Sequence, residues 1–349
     1  MKEILLGTTR VQWKDLQVYE KTKTTWKKSS QTFPYLEKIV HLFKANHTYA
    51  LLRDTKNPRF LKGQMYKGQV QGARINILPN KQVLDKAYSL FADELNVHDQ
   101  ESHDHWDLLY KNKGGGYAYA YTVKKKKIHS KEKYKKVEAF DKVYTSLLQK
   151  VTRALKDKQD HLALPMYTLL KTYMRVGNEM YYKAHGHKGL TTLKKKDLSI
   201  HANTVIFKYI AKDGVPLEIT HNFLPQYMHR LKEEIQKKKP NDFIFTSPKS
   251  SHPLAEKEFQ KAFQRYTGQS FYPHIVRSHY ATQRVKQFMK GKKRVSKEAV
   301  QQLFFSIAHA LGHRRFQKKE KIWQENYNVT VHHYINPEVL AKVEKLERG

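Results

Sequence analysis

Six side chains in the C-terminal two-thirds of the chain have the types needed to attack a phosphodiester without help from a nucleotide. They are Arg175, Lys212, His274, Arg277, His313 and Tyr334. A tyrosine hydroxyl can act as a covalent nucleophile. Arginine forks match phosphate geometry and stay charged at any working pH, so they can stabilise a pentacoordinate transition state. A lysine can protonate a leaving oxygen. The chain has no G-x-x-x-x-G-K-[ST] loop for nucleotide phosphates. Its acidic residues are few and dispersed, with no compact carboxylate cluster for two Mg²⁺ ions. The expected chemistry therefore uses no metal, ATP or other cofactor. His103-Asp104-His105 lacks a third ligand at a known spacing and reads as a polar turn rather than a metal site.

The elements that must position these groups follow from periodicity. Val137, Phe140, Val143, Tyr144, Leu147, Leu148, Val151 and Leu155 fall at steps of three and four, which predicts an amphipathic helix. A second helix is expected to start near Pro165 and to carry Met166–Ala184, with Arg175 inside it. Thr204–Ile210 and Val215–Ile219 read as strands joined by the turn Lys212-Asp213-Gly214. Helical spacing returns over Pro225–Lys237, Ala255–Tyr266, Arg277–Lys290 and Ser296–Leu311. The first 130 residues read as short strands and turns. Thr48–Arg53 and Gln69–Leu78 are β-compatible, and Trp106–Tyr110 with Tyr117–Val123 forms a hairpin around a glycine-rich loop. Asp85–Leu95 leaves room for one helix. Lys124–Lys136 holds eight lysines and suits a linker, a phosphate-facing segment or a solvated surface run. The predicted class is α+β: a small β-rich N-terminal domain (1–130) and a mostly α-helical catalytic domain (131–349) with a short β-hairpin.

Composition narrows the partner. The 349 residues include 66 Lys+Arg against 32 Asp+Glu, a formal net charge of +34. Self-repulsion of that size calls for a polyanion. Nucleic acid is the expected one, with an acidic membrane surface as the rival. No apolar run of about 18 residues is present to span a bilayer, and Met1–Arg10 does not read as a secretory leader. An intracellular, DNA-associated protein is expected. With no cysteine, there are no disulfides, Cys-based zinc sites or thiol nucleophile.

The local words around the six residues resemble the type IB DNA topoisomerases of the bacterial and poxviral kind, within the tyrosine recombinase/topoisomerase IB superfamily. Arg175-Val176-Gly177-Asn178-Glu179 leads into Gly189–Leu193 and the turn Lys194–Asp197. Phe207–Val215 resembles the hairpin that carries the family's lysine, which places it at Lys212 ahead of Lys208. His274-Ile275-Val276-Arg277 has the recombinase spelling, Leu311-Gly312-His313 is shared by both families, and His333–Pro337 resembles the nucleophile segment. The resemblance covers roughly 137–343. It implies double-stranded DNA as the partner, and that Tyr334 forms a 3′-phosphotyrosine and frees a 5′-hydroxyl. Arg175, Arg277 and His313 would stabilise the transition state, and Lys212 would act as general acid. His274 would assist proton transfer or orient Arg277. Asn178 and Glu179 would scaffold the first word, and His279 and His309 would be structural.

One departure stands out. His313 and Tyr334 are 21 residues apart, farther than the resemblance leads one to expect. Residues 314–331 then read as an inserted basic linker that either faces DNA or delivers the tyrosine from a swapped position, and Tyr327 becomes a second nucleophile candidate. The resemblance implies an ATP- and metal-independent topoisomerase that relaxes supercoiled DNA as a monomer. The alternative is a site-specific recombinase or integrase acting as a tetrameric synapse, and a catalytically silent architectural DNA-binding protein is the third reading.

Overall fold

The computed structural model describes residues 4–71, 75–98, 106–111, 116–248, 250–317 and 319–348. The His103-Asp104-His105 turn lies outside them. The chain divides into two compact units, Met1–Glu132 and Lys133–Gly349.

The first unit is built from short antiparallel strands. β1 (Thr9–Val11), β2 (Val18–Lys21), β3 (Trp26–Lys28), β4 (Gln64–Tyr66) and β5 (Gln69–Gln71) form a sheet in the order β3-β2-β1-β4-β5. β6 (Ile75–Ile77) pairs with β7 (Val83–Tyr88). β8 (Asp93–Val97), β9 (Leu108–Lys111) and β10 (Tyr117–Ala120) form a third sheet in which β9 is central. One helix, α1 (Pro34–Ala45), buries Leu36, Ile39, Val40 and Phe43 on a single face, the i, i+3, i+4, i+7 spacing of an amphipathic helix.

Two expectations are corrected here. Thr48–Arg53 contains a 3₁₀ turn, Tyr49–Leu52, rather than a strand. Asp85–Leu95 contains no helix, because Ser89 turns the chain between β7 and β8. Its hydroxyl accepts from the Phe91 N–H at 3.2 Å and its carbonyl from the Ala92 N–H at 3.2 Å, so the Asp85–Leu95 spacing is shared by two strands.

The second unit is mainly helical. α2 (Val123–Ala154) begins in the first unit and, from Lys133 onward, buries Tyr134, Val137, Phe140, Leu147 and Val151. The lysine-rich 124–136 stretch is thus helical and not a linker, and most of its lysines are exposed, as a solvated or phosphate-facing surface run requires. α3 (Ala163–Thr172) is buried along almost its whole length. α4 (Glu179–His185) follows, then the antiparallel sheet β11 (Leu198–His201), β12 (Thr204–Ile210) and β13 (Pro216–Asn222). α5 (Pro225–Gln236), α6 (Glu256–Thr267), α7 (Ile275–Met289) and α8 (Lys297–Ala310) complete the helical frame. One apolar cluster joins α2, α3, the sheet, α5 and α6. A second joins α7 and α8 to α9 (Asn328–Tyr334) and α10 (Pro337–Arg348).

The expected single helix over 166–184 is broken. Tyr173 ends α3 in the left-handed region at φ 57°, and Gly177 follows at φ 96°. The chain therefore runs non-helically from Tyr173 to Asn178, and Arg175 stands in that run instead of inside a helix. Residues 314–331 are not a linker either. β14 (Arg314–Gln317) and β15 (Ile322–Glu325) form a hairpin with Phe316 opposite Trp323, their rings 5.3 Å apart. Asn328 then opens α9. Among the described residues, no helix is long and apolar enough to cross a membrane.

Candidate active site

The broken helix exposes the reason for the Arg-x-Gly-Asn-Glu and Gly-Leu-Thr-Thr words. The segment at 189–192 hydrogen-bonds against the non-helical run: Leu190 N–H donates to Arg175 O at 2.8 Å and Thr191 N–H to Val176 O at 2.7 Å. The two backbones are so close that a methyl on Gly189 would stand 2.6 Å from Arg175 O and 2.6 Å from Gly177 N. Only glycine permits that approach. Asn178 caps α4, its side chain accepting from Tyr181 N–H at 2.9 Å. Arg175 is thus held from both sides by its own backbone. Glu179 pairs with Lys183 at 2.8 Å and with His252 at 3.0 Å, leaving the Arg175 guanidinium free of it.

Arg175 Nη2 donates to Tyr334 Oη at 3.2 Å. Tyr334 ends α9 and is 3% exposed, within the cluster formed by α7, α8 and α10. Its peptide neighbourhood is pinned to α7: Thr282 Oγ1 accepts from Asn336 N–H at 3.1 Å and donates to Tyr334 O at 3.4 Å. Asn336 in turn accepts from Glu338 N–H at 2.9 Å as α10 begins. In the single chain the hairpin β14–β15 leads into α9, and Tyr334 packs against its own α7, α8 and α10. Tyr327 is elsewhere. It begins α9 with its ring 4.8 Å from Phe305 and 5.8 Å from Phe304.

Arg277, on α7, is 3% exposed. Its guanidinium donates to Tyr173 O at 2.6 Å, to Leu311 O at 2.7 Å and to His313 Nε2 at 3.0 Å, and lies 5.2 Å from the Tyr334 ring centre. Its Nε–H is buried with no partner, and burial pushes the guanidinium below its usual range. A fixed, desolvated arginine with a spare donor is an anion-binding group. Because Nε2 of His313 accepts from Arg277, the ring proton is on Nδ1, facing Thr330 Oγ1 at 2.7 Å.

His274 caps α7 with its ring 5.1 Å from that of Tyr334, and the His313 ring lies 4.8 Å away on another side. The Arg277 N–H donates to His274 O at 3.2 Å, but among the described residues no hydrogen bond joins the His274 ring to the Arg277 guanidinium. Desolvation, then Arg277, Arg175, Lys133 and Lys212, lower its pKa to about 3. Lys212 sits exposed at the tip of the β12–β13 connection, next to Asp213 at φ 64°. It borders the same cavity as Arg175, Arg277 and His313. Lys208 instead faces Glu218 across the hairpin at 3.3 Å. His279 is buried against Asp141 at 2.8 Å and His309 pairs with Glu325, both away from the cluster.

The electrostatic character of the site is unusual. None of the ion pairs among the described residues involves Arg175, Lys212 or Arg277, and none of the described groups of His, Asp or Glu comes together as a metal site. The six residues named from the sequence converge, and among the described residues their cations form no ion pair, although Asp213 borders the cavity beside Lys212. Two contacts were invisible in the sequence. Thr330 is fully buried beneath His313, and Lys133, from the lysine-rich part of α2, reaches the carbonyl of His333, 200 residues along the chain and next to Tyr334.

His313 is 7% exposed. Burial, followed by the cations Arg277 and Arg175 and then by His274 and His333, lowers its pKa to about 3. It is therefore neutral at physiological pH. In the unfolded chain it takes up a proton below about pH 6.5, so acid favours unfolding. Melting temperature is expected to fall as pH drops from 6.5 toward 4. In His313→Gln the fall should be shallower, measured by calorimetry on both proteins.

A family model described as the eukaryotic DNA topoisomerase I catalytic core matches residues 122–334. The chain belongs to this family. With it comes membership of the topoisomerase IB/tyrosine recombinase superfamily, and the α+β architecture agrees. No curated protein is similar enough to this chain to match it. Among solved structures, a XerH site-specific recombinase bound to difH substrate in a pre-cleavage complex is similar at 16% identity and a TM-score of 0.36. The match covers 57% of this chain and 52% of that one. The post-cleavage complex of XerH with palindromic difH is similar at 13% identity and a TM-score of 0.35, over 57% and 51%. The chain thus spans about half the length of these recombinases. The topoisomerase I core match reaches from the start of α2 to Tyr334, taking in every one of the six residues.

Proposed function

We propose that this protein breaks and rejoins one strand of duplex DNA through a covalent bond to Tyr334, and that it relaxes supercoiled DNA without ATP or metal. The observation that carries this reading is the 3.2 Å contact between Arg175 and the Tyr334 hydroxyl, inside a group of cations that form no ion pair among the described residues. A phosphodiester supplies the missing charge. Tyr334 Oη attacks the phosphorus, the bond to the 5′ oxygen breaks, and the phenol proton passes to water. Arg175 and Arg277 hold the non-bridging oxygens as charge builds on them. His313 joins them once its proton moves to Nε2, with the Thr330 hydroxyl then donating to Nδ1. Lys212 delivers a proton to the departing 5′ oxygen, and His274 braces the tyrosine ring. The products are a 3′-phosphotyrosine and a 5′-hydroxyl. Attack by that hydroxyl reverses every step, and since the phosphotyrosine conserves the bond energy, no ATP is consumed.

Relaxation is favoured over recombination by the Arg175–Leu198 segment, whose words resemble the topoisomerases rather than the recombinases, and a monomer clamped on DNA is the expected form. The test is incubation with negatively supercoiled plasmid in EDTA without ATP, with and without an SDS quench. Relaxed topoisomers and an SDS-trapped nick are expected. An adduct confined to particular sequences, without relaxation, would move the activity to a site-specific recombinase. Neither product would leave a DNA-binding protein without strand-transfer activity. Binding is expected to weaken steeply with salt, as counterion release requires.

A further inference from the structure

The lysine-rich start of α2 contains one lysine that behaves unlike its neighbours. Lys124, Lys126, Lys127, Lys131, Lys135 and Lys136 are exposed, and Lys125 and Lys126 are paired with Asp107 and Asp85 at 3.1 Å. Lys133 is half-buried and turns inward. Its ammonium donates to the carbonyl oxygen of His333, the residue immediately before Tyr334, and lies 5.5 Å from the centre of the Tyr334 ring. It also lies 5.0 Å from the ring of Tyr134 on its own helix. No ion pair among the described residues involves it.

We propose that Lys133 is a positioning residue for the nucleophile, fixing the last turn of α9 through the His333 carbonyl and covering one face of the Tyr334 ring. This rests on the strand-transfer reading of Tyr334. Three physical features support it. α9 is only seven residues long, too short to be stable alone, so the orientation of its last residue depends on outside contacts. A cation is favoured at a helix C-terminus, where carbonyls lack partners. An ammonium over an aromatic face is attracted to it, more so as the ring becomes a phenolate during cleavage or resealing. The contact is drawn from α2, while the other anchors of Tyr334 come from α3–α4 and α7, so the ring is held from three directions. Burial holds the Lys133 ammonium down to about pKa 8, which is consistent with a group kept from bulk water.

The experiment uses the full chain and a suicide duplex whose cleaved 5′-hydroxyl fragment diffuses away, so that one turnover is read as accumulation of covalent adduct. Lys133→Met keeps the length of the stem and removes the charge. Lys133→Arg keeps a cation able to reach the carbonyl and stack on the ring. Lys133→Met is expected to slow adduct formation at saturating DNA about 10- to 100-fold, the scale of misplacing a reacting group, with DNA affinity changed less than about twofold. Lys133→Arg is expected to recover most of the rate. An unchanged rate in Lys133→Met, in a setting where the wild type cleaves, would overturn the role. So would equal losses in both variants, which would make the position one of packing alone. Absence of an adduct in the wild type would instead overturn the strand-transfer reading on which the role rests.

Discussion

Tyr334→Phe is expected to abolish the SDS-trapped DNA adduct, a loss of about 10⁴-fold or more in cleavage, as removal of a covalent nucleophile does. DNA affinity should change less than about twofold, because the ring that packs among α7, α8 and α10 is kept and only the hydroxyl is removed. The measurement is adduct formation on the suicide duplex beside a binding isotherm. Tyr327→Phe provides the contrast. Its hydroxyl belongs to a residue packed on Phe304 and Phe305, away from Arg175 and Arg277, so it should cleave within a few-fold of wild type. An adduct that survives Tyr334→Phe and disappears in Tyr327→Phe would exchange the two assignments. The hydroxyl also accepts a charge-assisted hydrogen bond from Arg175, so its loss should cost a modest amount of stability, roughly 1–3 kcal/mol, without unfolding the second unit.

How far the molecule was legible in its sequence depended on the range of the interaction. Periodicity located α2, α5, α6, α7 and α8, because each buries a stripe that repeats along its own length. The β12–β13 hairpin was legible for the same reason, with Lys212-Asp213-Gly214 as a local turn signal. Failures came where tertiary contacts overrode local pattern. Met166–Ala184 reads as one helix, yet Gly177 must pack against Gly189, and only a non-helical backbone at Arg175 allows both. Asp85–Leu95 mixed two strands into one apparent helix through the Ser89 turn. The 314–331 segment looked like a linker because its hairpin has little apolar repeat. Its organising contacts, Phe316 with Trp323 and the Arg314 guanidinium on Pro216 O at 3.0 Å, are visible only in three dimensions. The site behaves similarly. Words in the sequence picked out the six residues that converge, but Lys133 was hidden inside a run of exposed lysines, and Thr330 carries no signal of its own.

Lys212→Ala is expected to slow cleavage about 10²- to 10⁴-fold, the range for loss of a general acid, while leaving DNA affinity and melting temperature close to wild type. The geometry makes the variant clean. Lys212 is exposed at a turn, takes part in none of the ion pairs among the described residues, and the turn is held by backbone contacts that alanine retains: Ala211 N–H to Val215 O at 2.7 Å and Gly214 N–H to Ala211 O at 3.1 Å. The decisive comparison replaces the bridging 5′ oxygen of the scissile phosphate with sulfur. A thiolate leaves without a proton, so the substitution should restore Lys212→Ala to within about tenfold of wild type while doing little for Arg277→Ala, whose guanidinium is proposed to serve the non-bridging oxygens. Rescue of both variants would mean that leaving-group departure limits every slow variant, and rescue of neither would remove Lys212 from the proton-donor role. Lys208→Ala separates position from charge. Lys208 lies on the same hairpin but is paired with Glu218 at 3.3 Å, so its loss should leave cleavage near the wild-type rate with either bridging atom. The proposed mechanism needs a lysine at the tip, in none of the ion pairs among the described residues and bordering the cavity shared by Arg175 and Arg277, to hand its proton to the oxygen that leaves.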